Sequence, residues 1–166
     1  ADAEAPGLRG SFLWALQLAA RPSKLDGALR KKTVDVIRRL LGDADGMVRR
    51  RAAYVAGNLA LSELAPDLIA SAKQSPDPEQ RIAVFVALGE LRGLETFADT
   101  LELARKPEKT DTDRVTVAAL RTLSSIVVAN PGQPLDLGPI AVRITGLLSS
   151  ADPLVREAAV RVAGLA

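Results

Sequence analysis

The chain has 166 residues, of which 48% are hydrophobic and 25% are charged, as expected for one globular domain or for four to five helical repeats. It contains no Cys and no His, which excludes disulfides, thiolate zinc sites, histidine-ligated metals and the Ser-His-Asp and Cys-His types of catalysis. Aromatic residues make up only 3%, too few for a platform on which single-stranded nucleic acid would stack. We therefore expect no metal and no cofactor.

The net charge of +2 is distributed unevenly along the chain. Residues 21–51 hold ten Lys or Arg against four Asp or Glu, whereas residues 52–110 hold six against nine. No apolar run reaches the roughly 18–20 residues that a membrane span needs, and no secretory signal pattern is present. We expect a soluble protein without membrane insertion; a cytoplasmic location is favoured, and a periplasmic or exported one stays open.

The apolar periodicity predicts helices along the whole chain and no strand. Residues 1–7 are expected to be disordered or linker-like, and residues 8–166 to form a single solenoid. Within that solenoid, apolar residues recur at steps of three and four, which is the helical period. The predicted helices cover residues 8–20, 25–41, 45–59, 62–74, 77–91, 94–105, 111–128, 135–149 and 152–165.

The first predicted helix carries two aromatic residues, Phe12 and Trp14. They are candidates for an exposed anchor that binds a partner. The alternative, which we favour, is that they cover the core of the first repeat.

The second predicted helix carries a basic stripe. Lys31 and Arg38 lie seven residues apart, as do Lys32 and Arg39, and two helical turns return each pair to nearly the same face. Such a stripe can meet phosphates or an acidic protein surface, or it can be an ordinary solvated face that Asp35 partly neutralises. The residues proposed to bind a partner are these four, with two more basic residues on the flank: Lys31, Lys32, Arg38, Arg39, Arg50 and Arg51.

A short pattern recurs four times. Asp45, Asp77, Asp111 and Asp152 each open an Ala- and Val-rich stretch, at spacings of 32, 34 and 41 residues. An Arg follows four residues later in three copies and a Gly twelve residues later in three copies; the third copy has Val115 and Leu123 at these positions. Self-similarity at such a period is the signature of a solenoid.

The Asp residues of the pattern are expected to start helices. Asp152 is followed by Pro153, and Asp77 by Pro78. An Asp at the N-cap can accept hydrogen bonds from the first turn, and a Pro at the first helical position loses no hydrogen bond. Each copy therefore predicts one helix, and the segment that follows predicts a second.

These residues resemble HEAT repeats of the short bacterial type known as the PBS-lyase HEAT-like repeat. The resemblance implies an all-α, right-handed superhelix of about four and a half helix pairs, with the Asp-started first helices on the convex face and the second helices on the concave face. It also implies a buried polar ladder between successive repeats, which the absence of Arg at Val115 would interrupt. The residues to which it assigns this structural role are Asp45, Arg49, Asp77, Arg81, Asp152 and Arg156.

The functional hypothesis is a non-enzymatic scaffold that binds a protein partner on the concave or basic amino-terminal face, with an acidic protein as the candidate partner of the basic face. A nucleic-acid-binding solenoid that contacts phosphates through the same residues is the alternative. A lyase-type enzyme is a further, less favoured one. Acid pairs such as Glu63 with Asp67, and Asp99 with Glu102, can in principle do acid–base work, but such pairs are common on exposed helix faces.

The last predicted helix has no second helix after it. Val155, Ala159, Val162 and Leu165 are therefore expected to face water unless further repeats or another chain cover them. This expectation favours a chain that is part of a longer protein.

Overall fold

The computed structural model describes residues 6–19 and 25–166. These residues form nine α-helices joined by short loops, and within these ranges there is no strand. Single 3₁₀ turns at Ser62–Leu64, Leu94–Thr96 and Gly138–Ile140 precede three of the helices. The helices are α1 Pro6–Ala19, α2 Gly27–Leu41, α3 Gly46–Asn58, α4 Ala65–Gln74, α5 Pro78–Leu91, α6 Phe97–Arg105, α7 Asp113–Ala129, α8 Ala141–Leu147 and α9 Pro153–Ala163.

Local sequence explains where the Asp-started helices begin. The carboxylates of Asp45, Asp77 and Asp152 accept hydrogen bonds from backbone N–H groups of the first turns of α3, α5 and α9. Prolines at positions 78 and 153 stand at the first helical position. The predicted caps are therefore confirmed, and each satisfies N–H groups that would otherwise have no partner.

The helices stack in two layers. One layer, the odd layer, consists of α1, α3, α5, α7 and α9, and the other, the even layer, consists of α2, α4, α6 and α8. Each helix of the even layer packs on the odd helix that follows it in the chain. One continuous apolar core runs between the layers from Leu13 to Val162. The architecture is an all-α solenoid of about four and a half helix pairs.

The two layers pack to different degrees. Neighbouring helices of the odd layer contact each other along their lengths, whereas neighbours in the even layer meet at few positions. The odd layer is therefore the more closely packed of the two.

The amino-terminal boundary also differs from the prediction. Helix α1 begins at Pro6, so residues 6 and 7 belong to a helix and not to the linker-like segment expected for residues 1–7. Residues 1–5 lie outside the described residues, as do residues 20–24 between α1 and α2.

Candidate functional site

The buried ladder is formed in full between α5 and the start of α7. The guanidinium of Arg81 donates from Nε to Oδ1 of Asp111 at 2.7 Å and from Nη2 to Oδ2 at 3.0 Å. Its Nη1 donates to the carbonyl oxygen of Ala72 at the end of α4. Both charged side chains are almost completely buried. This bidentate pair ties three helices together, and its role is structural.

Two other ladder residues act differently. Arg49 donates to the carbonyl oxygens of Asp43 and Ala44 in the loop before its own helix. Arg156 makes the equivalent contacts with Ser150 and Ala151. These arginines hold the loop that leads into α3 or α9, whereas Arg81 links its helix to the next repeat. The partner of Asp77 across the repeat boundary is the neighbouring Arg50, at 3.2 Å.

A ladder pair that the sequence analysis missed joins α1 to the loop before α3. Arg9 forms a half-buried ion pair with Asp43, with 2.7 Å between Nε and Oδ2. Burial raises the pKa of Asp43, but hydrogen bonds from Arg9 and Asp45 N–H and the charges of Arg9 and Arg49 outweigh it, so its pKa is lowered. Pro6 and Arg9 share the spacing of Pro78 and Arg81, a signal that was available in the sequence.

The third copy of the pattern is shifted by one residue. The N-cap of α7 is Thr112, and Asp111 is the acceptor of Arg81 and not a cap. Ala87 of α5 lies against Gly57 of α3, and Thr122 of α7 lies against Gly89 of α5 in the same way. Thr122 is therefore the equivalent of Ala87, and this equivalence aligns α7 with α5. The position of Arg81 is therefore taken in α7 by Thr116, and not by Val115 as the sequence suggested.

An arginine from another helix compensates for this loss. Arg143 of α8 donates through Nη1 to the carbonyl oxygen of Ala104 at the end of α6 and through Nη2 to Oγ1 of Thr116 at 3.1 Å. Ala104 lies near the end of α6, at the position that Ala72 has near the end of α4. Arg143 therefore donates to the carbonyl oxygen that would otherwise accept from a ladder arginine. Burial lowers the pKa of Arg143, and the negative charge of Asp111 opposes this shift. Stacking continues through this repeat.

The basic stripe of α2 is present on the surface. Lys31, Lys32, Arg38 and Arg39 are exposed on the even layer. Arg38 pairs with Asp35 at 3.4 Å and with Asp67 of α4 at 3.1 Å, and Lys31 pairs with Asp35 at 3.3 Å. Within the described part of the chain, neither Lys32 nor Arg39 has a carboxylate within 4 Å.

The flanking basic residues do not join this stripe. Arg50 and Arg51 lie on α3, in the other layer, and are only partly exposed. Arg50 is held by Asp77, and Nη1 of Arg51 reaches Gly10 of α1 so closely that a Cβ there would lie 3.0 Å away. The structure thus brings four of the six predicted binding residues together and places the other two at helix–helix contacts.

The aromatic residues of α1 are exposed, contrary to the favoured interpretation. Phe12 is 51% and Trp14 59% accessible, and only Leu13 between them is fully buried. They do not cover the core of the first repeat, because α1 turns Leu13 and Gly10 towards it.

The expectation for the last helix was also wrong. Val155, Ala159 and Val162 are buried against α7 and α8, and Leu165 is partly buried. The large exposed side chains of the last helix pair are instead Val142, Leu148, Leu154 and Val160.

The acid pairs lack the environment of catalytic groups. Glu63 binds Arg30, Asp67 binds Arg38 and Asp99 binds Lys73, each across a repeat boundary. A hydrogen bond from Arg30 lowers the pKa of Glu63, and hydrogen bonds from Lys106 and Arg105 lower that of Glu102. A general acid needs a raised pKa, which neither Glu63 nor Glu102 has. The described residues include no acidic cluster able to hold a metal ion.

The stacked helix pairs, the Asp caps and the inter-repeat ladder define a helical repeat protein. A sequence model of HEAT repeats matches residues 34–123, more than half of the chain. The chain belongs to the HEAT repeat family, whose members commonly act as scaffolds for protein interactions. None of the curated proteins matches it. No helix in the described ranges has both the length and the apolar character to cross a membrane.

Proposed function

We propose that the chain is a non-enzymatic scaffold that binds an acidic surface of a partner protein through the basic stripe of α2. The observation that carries the proposal is the state of Lys32 and Arg39. Both are exposed, they lie two turns apart on one face, and no described carboxylate pairs with them. Their charges are therefore available to a partner.

The two other stripe residues, Lys31 and Arg38, can also bind an acidic partner. Lys31 has a side chain that is 80% exposed and a single pair at 3.3 Å, an exposed interaction worth little in water. Arg38 is shared between Asp35 and Asp67, which orients it on the same side of α2 as Lys31. A partner carboxylate can compete for both at small cost. We propose that residues 8–166 present this surface as one solenoid, since one core spans the helix pairs.

A nucleic-acid partner is the alternative that must be tested. Two cations that lack a carboxylate partner among the described residues are few for a protein that binds through phosphates, because such binding relies on many neutralised phosphates. Phosphate binding falls log-linearly with salt concentration, whereas a packed protein interface is less sensitive to salt.

The experiment is affinity capture from the native extract, with and without nuclease. The wild type is compared with the double reversal Lys32→Glu/Arg39→Glu and with a control, Lys106→Glu/Lys109→Glu, which changes the net charge equally in the exposed loop after α6. We expect a protein that survives nuclease, that the α2 reversal loses and that the control retains. Proteins released by nuclease, or equal loss with both variants, would contradict the proposal.

A further inference from the structure

The structure has a groove on the odd layer that the proposed function does not use. It follows the junction of α5 and α7, is closed at one end by the start of α9, and has a volume of about 410 Å³. This volume lies within the range of roughly 300–1,000 Å³ in which ligand sites are usually found. Apolar side chains make up its floor: Ile82, Val86, Val117 and Leu154.

The groove exists because small residues meet at this junction. A Cβ at Gly57 in α3 would lie 2.8 Å from Cα of Ala87 in α5, so α3 and α5 are in close backbone contact. At the next junction, a Cβ at Gly89 would find nothing nearer than Oγ1 of Thr122 at 3.4 Å. Thr122 and Ser125 line the groove beside Gly89, and their small side chains leave the apolar floor accessible.

The rim of the groove carries more positive than negative charge. Arg92, Arg114 and Arg121 line it, against Glu90 and Asp152. The carboxylate of Asp152 already accepts hydrogen bonds from the N–H groups at the start of α9. Only Glu90 is therefore an uncommitted acid among the lining residues.

The three arginines differ in how firmly they are held. Arg114 pairs with Glu79 at 2.6 Å, and Arg121 pairs with Glu157 at 3.4 Å. The exposed Arg92 has no carboxylate within 4 Å in the described part of the chain. Arg92 and Arg121 are thus the two guanidinium groups best able to accept a new anionic partner.

We propose that this groove binds a segment of a protein partner in which an apolar side chain is flanked by carboxylates. The apolar side chain would cover Val86 and Leu154, which are 40% and 54% exposed, and the carboxylates would pair with Arg92 and Arg121. Apolar anchors with surrounding charge pairs are the usual arrangement of a peptide-binding site.

The groove and the α2 stripe lie on opposite layers, so a partner on one leaves the other free. The proposal therefore extends the proposed function without depending on it. If both hold, the chain connects two acidic partners at the same time.

The test is selection of a random 16-residue peptide library on the immobilised chain, followed by affinity measurement with the enriched peptides. Val86→Glu places a carboxylate on the floor and should abolish binding. Arg92→Gln and Arg121→Gln should each weaken it by about two- to five-fold, the range of exposed ion pairs. The control is Lys32→Glu/Arg39→Glu, which should leave peptide affinity unchanged.

Enriched peptides with an apolar residue between acidic ones, sensitive to the groove substitutions alone, would support the proposal. It is overturned if no peptide is enriched, if the enriched peptides lack acidic residues, or if Val86→Glu has no effect. Loss of peptide binding in Lys32→Glu/Arg39→Glu would assign the peptides to the α2 stripe, and this result would also overturn the proposal. If Val86→Glu lowers the thermal stability, Leu154→Glu provides the same test at a more exposed position.

Discussion

At the scale of single residues, the pair of Arg81 and Asp111 is the most deeply buried ion pair between repeats in the described part of the chain. We predict that Arg81→Met lowers the free energy of unfolding by about 3–5 kcal/mol, because Asp111 is left buried without its counter-charge. The matched variant Arg49→Met loses hydrogen bonds to its own loop and the attraction of its charge to Asp43, but it leaves no buried carboxylate without its counter-charge, and it should cost about 1–2 kcal/mol. Denaturant unfolding of both variants measures the difference. Equal losses would show that Arg81 does no more than hold a loop.

Asp43 gives the molecule a specific acid sensitivity. Its pKa is lowered in the folded state, so at pH values between the folded and the unfolded pKa the unfolded chain binds more protons and stability rises with pH. The contribution of Asp43 to the free energy of unfolding is fully present at pH values above its pKa in the unfolded chain, about 3.9. It is lost as the pH falls through the lower pKa that Asp43 has in the folded chain. We predict that Asp43→Asn is less stable than the wild type at pH 7 and that the difference shrinks towards pH 3.

Denaturant unfolding at several pH values measures this effect. The control is Asp26→Asn, because the carboxylate of Asp26 makes no cap hydrogen bond and is exposed. The interpretation of Asp43 is refuted if the two variants follow the same pH dependence.

At the scale of helices, two glycines at equivalent positions differ in how much space a side chain would have. A Cβ at Gly57 would meet the backbone of Ala87 at 2.8 Å, whereas at Gly89 the nearest atom would be 3.4 Å away. We predict that Gly57→Ala destabilises by about 1–3 kcal/mol through overpacking. Gly89→Ala should be neutral, or should stabilise by up to about 1 kcal/mol through helix propensity. Thermal or chemical unfolding distinguishes them, and a similar change in both would contradict the close α3–α5 contact.

The helices show which parts of the fold the sequence could predict. The Asp caps, the Pro positions and the apolar periodicity are local signals, and they predicted the helices and the repeats. The alignment of α7 failed because Asp111, Thr112 and Asp113 are all possible caps, and only packing against α5 decides between them. Arg9 was missed because its copy of the pattern has Ala5 where the others have Asp.

The candidate sites were predicted less completely, for a physical reason. The α2 stripe depends on spacing within one helix, so its four exposed residues could be found in the sequence. Arg50 and Arg51 stand next to each other on α3, but their contacts with α5 and α1 depend on the angle between helices. The groove at Gly89 arises from side-chain sizes on two helices that are far apart in sequence, and no local pattern marks it.

At the scale of the whole molecule, α5 is the most enclosed helix. Gln80 and Arg81 are fully buried beside its apolar residues, and α5 packs between α3, α4 and α7. In a repeat array each unit is stabilised by its neighbours, so end helices open first. We predict that amide hydrogen exchange is slowest in α5 and becomes faster towards α1 and α9. Hydrogen-exchange mass spectrometry measures it, and an α1 or α9 that exchanges as slowly as α5 would contradict this order.

The contact between Arg143 and Thr116 has a consequence for protein engineering. Repeats of this kind are attractive as exchangeable modules, yet here the arginine that completes one helix junction comes from the following helix pair. A graft that moves α6 and α7 without α8 would leave the carbonyl of Ala104 without its donor. The usable unit for recombination therefore extends from α6 to α8, and its boundaries follow this hydrogen bond and not the sequence period.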